Sequence, residues 1–303
     1  MILLGRLLDN LSLFRGGRAS SGLRPFRAQT ENELRALARR RVLYFPNPGN
    51  AGDSLIAAGT YQALRRCGIP LVLADLDSPV DGATLLLGGG GNLVPYYDHI
   101  ATALARFHGR AARLVLLPHT IRGHEALLAQ LDGSCTLLCR DRPSLDHLRA
   151  VNPRIDARLR HDMALHLDAP GLLADPVLAA RARPVWEARL AAAGLSPALL
   201  SRPEGVSLLR LDVETTAAAP WSDGDVSAIF MLGTGPEEAP IAAWCLLKSV
   251  SLAQRIVTDR LHVAIAAALL GVPCDLHDNI YGKNAAVYDH SLRGFACLRF
   301  VAG

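Results

Sequence analysis

The stretch VTDRLHVAIAAALLGVP, beginning at Val257, sets Asp259, Arg260 and His262 against a short apolar helix. The polar loop DNIYGKN follows it and carries Lys283 and Asn284. Arg260 and His262 at a helix start gather N–H donors and positive potential in one place, which suits an anion. Lys283 makes this a three-cation cluster. Histidine also titrates near neutral pH and so supplies a proton donor. The plainer reading is a satisfied core histidine, with Asp259 as the helix cap.

Other polar groups fall at the ends of apolar runs. In FPNPGNAGDSLIAAGT, a strand gives way to Pro and Gly and then to a helix starting near Asp53 and Ser54, either of which reads as its N-cap. The glycine spacing is neither a P-loop nor a dinucleotide fingerprint. LLLGGGGNLVPYYDH has four glycines directly after a strand, including Gly89 and Gly90, with Asn92 and His99 nearby. No packing purpose for them is evident, so they read as letting backbone approach a ligand at the carboxyl end of a strand. LLPHTIRGHE places His119 and Thr120 at such an end, and LLCRDRPSLDHL places Arg140 and Asp141 before a helix capped near Ser144. LRHDMALHL adds His161 and Asp162, and SLLRLDVETT adds Arg210 and Asp212. Each alone reads as a cap or surface loop. Their shared place at the ends of successive parallel strands marks them as a site.

The elements that must position these groups alternate. RVLYF, PLVLAD, TLLLGG, RLVLLPH, CTLLCRD and ARLRHDMAL read as strands, separated by stretches with helical apolar spacing. Continuous apolar strands between amphipathic helices argue a parallel sheet covered on both faces. After Asp168 the chain becomes rich in Ala, Pro and Arg. A second set follows: GVSLLRLD, SAIFML as a further strand, the helix EAPIAAWCLLKSVSLA, the strand RIVTD, the helix from Arg260, and VPCDLHD. The expected fold class is therefore α/β, with two Rossmann-like domains facing a cleft. The boundaries are an N-terminal lead-in over 1–40, a first domain over 41–168, connecting helices over 169–205 and a second domain over 206–303.

Composition narrows the function. The 303 residues carry 32 basic and 28 acidic side chains, too even a balance for a nucleic-acid binder of the electrostatic kind. Cys67, Cys135, Cys139, Cys245, Cys274 and Cys297 sit in mostly apolar surroundings and read as thiols of a reducing compartment. His161, Asp162, His166 and His262 lack metal-ligand spacing, so no metal is expected. The start, MILLGRLLDNLSLF, is broken by Arg6, Asp9 and Asn10 and lacks the form of a signal peptide. The expectation is a cytoplasmic protein, with a peripheral membrane contact through this segment left open.

GNAGDSLI, GGGGN, LPHT, CRDRPS, HDMA and above all VTDRLHVAIAAALLGVP followed by DNIYGKN resemble, in order and spacing, the polysaccharide pyruvyl transferases. The resemblance spans roughly residues 41 to 290, and TDRLH is its most specific part. LPHT departs from it, since the family often has Gln where His119 stands. It implies an architecture like the GT-B glycosyltransferases and transfer of pyruvate from phosphoenolpyruvate to two sugar hydroxyls, as a cyclic ketal with release of phosphate. It further implies a sugar or lipid-linked oligosaccharide acceptor at the inner face of the cytoplasmic membrane, and no cofactor besides the donor substrate. On that footing His262 is the general acid, and Asp53 or Asp141 orients or deprotonates the acceptor. Arg210, Arg260, Lys283 and Asn284 hold the donor, since bidentate arginines suit its carboxylate and phosphate. Asn50, Gly52, Gly89, Gly90, Asn92, His119 and Arg140 line the acceptor side of the cleft, where Tyr96 and Tyr97 offer a stacking face. Two rivals stand beside this reading. One is a glycosyltransferase using a nucleotide sugar, told apart by donor preference. The other is a non-catalytic sugar-binding relative, against which the intact TDRLH and YGKN argue.

Overall fold

The computed structural model describes residues 18–37, 40–216 and 221–302. The apolar start of the chain, where a membrane contact was left open, lies outside the described residues. Helix α1 (Arg18–Arg35) is the described part of the expected lead-in.

The first sheet is parallel and runs β1 (Val42–Phe45), β2 (Thr84–Leu87), β4 (Arg113–Ile121), β5 (Cys135–Cys139) and β6 (Asp156–Leu159). Strand β3 (Gly90–Leu93) takes over the flank of β4 where β2 ends, pairing Gly90 with His119. Beyond β1, on the other side, Leu73 makes a lone parallel bridge to Tyr44. The chain therefore leaves β1 outward through α2 (Ala51–Arg66), returns, and then builds every later strand in the opposite direction. That reversal is a topological switch point, and ligands of open α/β sheets bind just beyond the carboxyl ends of the strands beside it.

Side-chain alternation explains how both faces are covered. Val42, Tyr44, Leu86, Val115, Leu117 and Leu138 face the α2 side. Leu43, Phe45, Leu85, Leu87, Leu114 and Leu116 face the other, covered by α3 (His99–Phe107), the single-turn α4 (Glu125–Leu128) and α5 (Arg142–Val151).

Residues 169–205 fold as α6 (Ala169–Ala174), α7 (Pro176–Ala192) and α8 (Pro197–Leu200). The second sheet is parallel throughout, in the order β10 (Leu298–Val301), β9 (Cys274–His277), β8 (Ile256–Thr258), β7 (Val206–Ser207). Its helices are α9 (Val226–Ile229), α10 (Glu238–Leu252), α11 (Leu261–Leu270) and the short α12 (Lys283–Val287). Helix α11 is apolar on nearly every side because it is buried on nearly every side. One apolar core runs from Leu34 of α1 through α2 and Trp186 of α7 to Ile256, Leu276 and Leu298 of the second sheet. One face of the first sheet thus shares a core with the second sheet, while its other face packs against α3, α4 and α5 in a core of its own.

Two expected strands are corrected. PLVLAD is reduced to the Leu73 bridge, with Leu71, Val72 and Leu73 exposed at the sheet edge. It has only the four-residue β1 to pair with, and Pro70 brings no N–H. SAIFML begins as α9, because Asp225 caps that turn by accepting from the Ala228 N–H. Among the described residues, no helix is long and apolar enough to cross a membrane.

Candidate active site

The crevice beyond β1 and β2 begins at Asn50, which caps α2. Its Oδ1 accepts from the Gly52 N–H at 2.8 Å, and its own N–H donates to Asp53 Oδ2 at 2.9 Å. This reciprocal pair is a capping box. The cap is thus Asn50, and Asp53 stands three residues into the helix, half-buried. Burial raises the Asp53 carboxyl from its ordinary value, opposed by His262, Arg140, the Asn50 N–H and Lys283. Groups from both halves of the chain therefore converge on one carboxyl.

The four glycines have a packing purpose after all, which corrects the sequence reading. A Cβ on Gly88 would lie 2.5 Å from the Asn47 nitrogen, and one on Gly89 would lie 2.8 Å from the Pro118 carbonyl. A Cβ on Gly91 would collide with the Arg140 guanidinium. The chain's own atoms, not a ligand, fill the space beside Gly88, Gly89 and Gly91. Around them Asn47 donates to the Gly89 carbonyl at 3.1 Å, and Asn92 donates to Asn47 Oδ1 at 2.7 Å. His119 Nε2 lies 3.2 Å from the Asn92 N–H and 3.1 Å from Asn92 Oδ1. Burial and the nearby Arg140 push the His119 imidazole down to about 3, so it stays neutral and positions Asn92.

Arg140 is almost wholly enclosed. Its Nε donates to Thr120 Oγ1 at 2.9 Å and its Nη1 to Asp162 Oδ2 at 2.7 Å, while Nη2 lies against Gly91. Asp162, at the end of β6, accepts a further bond from the Ala164 N–H. Burial alone would raise the Asp162 carboxyl, but His262 and Arg140 hold it well below the carboxylate range. Asp141 has a different task from the acceptor role weighed for it. It caps α5 through the Ser144 N–H and accepts from Thr120, Ser144 and Arg122. Fully buried and surrounded by protein donors, it is a structural acid.

The second half delivers His262 from the first turn of α11. A Cβ on Gly52 would sit 2.5 Å from His262 Nδ1, so only glycine admits the ring there. His262 Nε2 lies 3.5 Å from Asp162 Oδ2 and has no hydrogen-bond partner. The cap position of α11 falls on Arg260, not Asp259; Asp259 instead accepts from the Arg210 N–H at 2.8 Å. Arg260 is held by Asp225 through two nitrogens and by Asp212 at 2.8 Å. Its guanidinium is already committed to carboxylates, a strut where the sequence suggested a free clamp.

Arg210 and Lys283 share another acid, Glu214. Its Oε2 accepts from Arg210 Nη1, from Lys283 Nζ at 2.6 Å and from Asn279 at 3.0 Å, while Oε1 accepts from the Tyr97 hydroxyl at 3.1 Å. Burial lowers the Lys283 ammonium to about 8, with Glu214 pulling upward and Arg210 and Arg140 downward. Burial would raise Glu214, but Lys283 and Arg210 keep it far below its ordinary value. Asn284 spends its amide on the Asp259 and His277 carbonyls, tying the ends of β8 and β9 together. Tyr281 stacks near Lys283, and Tyr96 stands exposed beside it, with ring centroids 6.3 Å apart.

The structure thus gathers Asn50, Gly52, Asp53, Gly89, Gly90, Asn92, His119, Arg140, His262 and Lys283 around one crevice and joins Arg210 to it through Glu214. Arg260 and Asn284 support it from behind. Sequence reading gives no role to Asn47, Glu214 or Asn279, and offers Tyr97 as a stacking face, where the structure has its hydroxyl donate to Glu214. Among the described residues, no group of three His, Cys, Asp or Glu side chains could hold a metal ion.

Residues 50–195 match the family model of the polysaccharide pyruvyl transferases. The matched span contains Asn50, Asp53, His119, Arg140 and Asp162, and ends before Arg210, His262 and Lys283. The fold is similar to the crystal structure of an uncharacterized protein from Klebsiella pneumoniae subsp. pneumoniae NTUH-K2044. The TM-score is 0.73 at 24% identity, over 92% of this chain and 99% of that one. That likeness shows the fold. No curated protein matches the chain.

Proposed function

We propose that this chain, whose residues 50–195 match the family model of the polysaccharide pyruvyl transferases, moves pyruvate from phosphoenolpyruvate onto two hydroxyls of a sugar. The product is a cyclic ketal, and phosphate is released. The observation that carries the reading is that a carboxyl, an imidazole and two cations close in on neighbouring glycines at the strand ends: His262 at Gly52, Asp53 at Gly90, and Arg140 with Lys283 at Gly91.

In this reading Arg140, Arg210 and Lys283 hold the carboxylate and phosphate of the donor. His262, with Nε2 otherwise unpartnered, gives a proton to the methylene carbon. The π electrons of the donor form the new C–H bond and leave an oxocarbenium-like centre at the neighbouring carbon. One sugar hydroxyl adds there and loses its proton to Asp53, whose raised affinity for protons suits a base working near neutral pH. The C–O bond to phosphate then breaks with its electron pair. The second hydroxyl adds to close the ring, and its proton leaves with the phosphate. Asn92, Asn47 and the exposed ring of Tyr96 face the sugar, the last as a stacking surface. The two sheets then play the parts of the two halves of a GT-B enzyme. The acceptor is a sugar of a polysaccharide repeat, lipid-linked at the inner membrane face.

The test is release of phosphate from phosphoenolpyruvate in the presence of candidate oligosaccharides, run in deuterium oxide. Deuterium in the new methyl group, and loss of turnover in His262→Gln, are expected. Donor consumption from nucleotide sugars alone would replace this reading with the glycosyltransferase one.

A further inference from the structure

The Glu214 carboxylate occupies a site built for an anion. Four donors from four parts of the chain aim at it: Arg210 at the end of the extended stretch after β7, Lys283 at the start of α12, Asn279 in the loop before it, and Tyr97 from the first half. Arg210, Lys283 and Asn279 are all buried. Two cations and two neutral donors around one carboxylate are what a small anionic ligand would need in a place screened from water.

The stretch that brings Glu214 there is held unlike the rest of the fold. Among the described residues, the backbone groups of residues 212–215 bond only within the stretch. The Thr215 N–H donates to the Asp212 carbonyl, and the Glu214 N–H donates to Asp212 Oδ1. Leu211 and Val213 point outward, 74% and 69% exposed, and so give it no apolar anchor. The exposed Asp212 reaches Arg260 and Arg210, and the buried Glu214 reaches Arg210 and Lys283; these ion pairs tether it. A segment fastened chiefly by carboxylates on cations can be released by any anion that competes for those cations.

We infer that Glu214 is an internal occupant of the anion site, and that residues 212–215 swing away when a small carboxylate or phosphate takes its place on Arg210, Lys283, Asn279 and Tyr97. The inference rests on the proposed function only for naming the donor. Displacement by an anion does not depend on pyruvyl transfer. A site filled by its own carboxylate at least nine-tenths of the time binds its ligand at least tenfold more weakly than the empty site would.

Inorganic phosphate is the probe, titrated calorimetrically into the wild-type chain and into Glu214→Gln. The neutral amide keeps the size of the side chain and removes the charge that competes. Phosphate binding at least tenfold tighter in Glu214→Gln supports the inference, and equal or weaker binding overturns it. Should the variant not fold, hydrogen exchange of the wild-type chain decides. Faster exchange of residues 212–215 with phosphate bound supports displacement, and slower or unchanged exchange overturns it. Tighter phosphate binding in the variant, together with a wild-type chain that never turns over phosphoenolpyruvate, would remove the proposed function and leave this device standing.

Discussion

Asp162 Oδ2 lies 3.5 Å from His262 Nε2, across the line where the first sheet meets the second half of the chain. The same oxygen accepts from Arg140 Nη1 at 2.7 Å. One carboxylate therefore sits between an imidazole and a buried guanidinium, and fixes where each can be. Asp162→Asn should leave the Arg140 charge buried without its counter-charge, at a cost of about 3 kcal/mol or more in stability. It should also lower kcat by about 100-fold through a misplaced imidazole. Thermal unfolding and turnover measured on the same sample check both.

Lys283 sets a pH limit. Its ammonium is lowered by burial to about 8, and only the protonated form attracts an anionic donor. For the free enzyme, kcat/KM for the donor should fall as pH rises through about 8, while Lys283→Arg, which stays charged, should flatten that limb. Stability moves the other way. The folded chain gives up this proton at lower pH than the unfolded chain does, so the unfolded state binds more protons above about 8. The Lys283 contribution to stability therefore rises with pH between about 8 and the ordinary lysine value. Urea unfolding from pH 7.5 to 10, compared with Lys283→Met, isolates it.

Asn284 separates a structural role from a donor-binding one. Its Nδ2 donates to the Asp259 carbonyl at 2.7 Å and to the His277 carbonyl at 2.9 Å, both at strand ends. Asn284→Ala should cost about 1–3 kcal/mol by leaving buried carbonyls unpaired. Temperature-corrected donor binding should change little. A tenfold loss of donor affinity in a variant of unchanged stability would restore the role that its place in DNIYGKN suggested.

Strands β1, β2, β4 and β5 were legible because each is an apolar run ended by Gly, Pro or a polar group, whereas β3 starts inside the glycine run and carries no such pattern. Their carboxyl-end residues were legible as a site because parallel strands put those ends on one edge. What the sequence could not convey was which charges are spent inside the protein. Arg260 and Lys283 look alike in the chain, yet one is tied to Asp225 and Asp212, while the other is held by Glu214, 69 residues away in sequence. Such pairings follow from long-range packing and leave no periodic trace. The glycine run misled for the same reason: what fills the space beside Gly91 is Arg140, two strands away in the sheet.

Gly52 offers the sharpest test of where His262 stands. In a helix, Ala is favoured over Gly by about 1 kcal/mol, so Gly52→Ala should not by itself weaken α2. Its methyl group would, however, sit 2.5 Å from Nδ1 and 2.9 Å from Cβ of His262, and 2.9 Å from Oδ1 of the capping Asn50, closer than atoms can rest. The imidazole must then turn or shift, and with it the distance to Asp162. The expected outcome is a fall in kcat of at least tenfold, with an unfolding temperature within a few degrees of wild type, since a misplacement of about 1 Å at a reacting group can cost 100-fold. If Gly52→Ala turned over at the wild-type rate, the ring of His262 could not be the group that delivers the proton from this position.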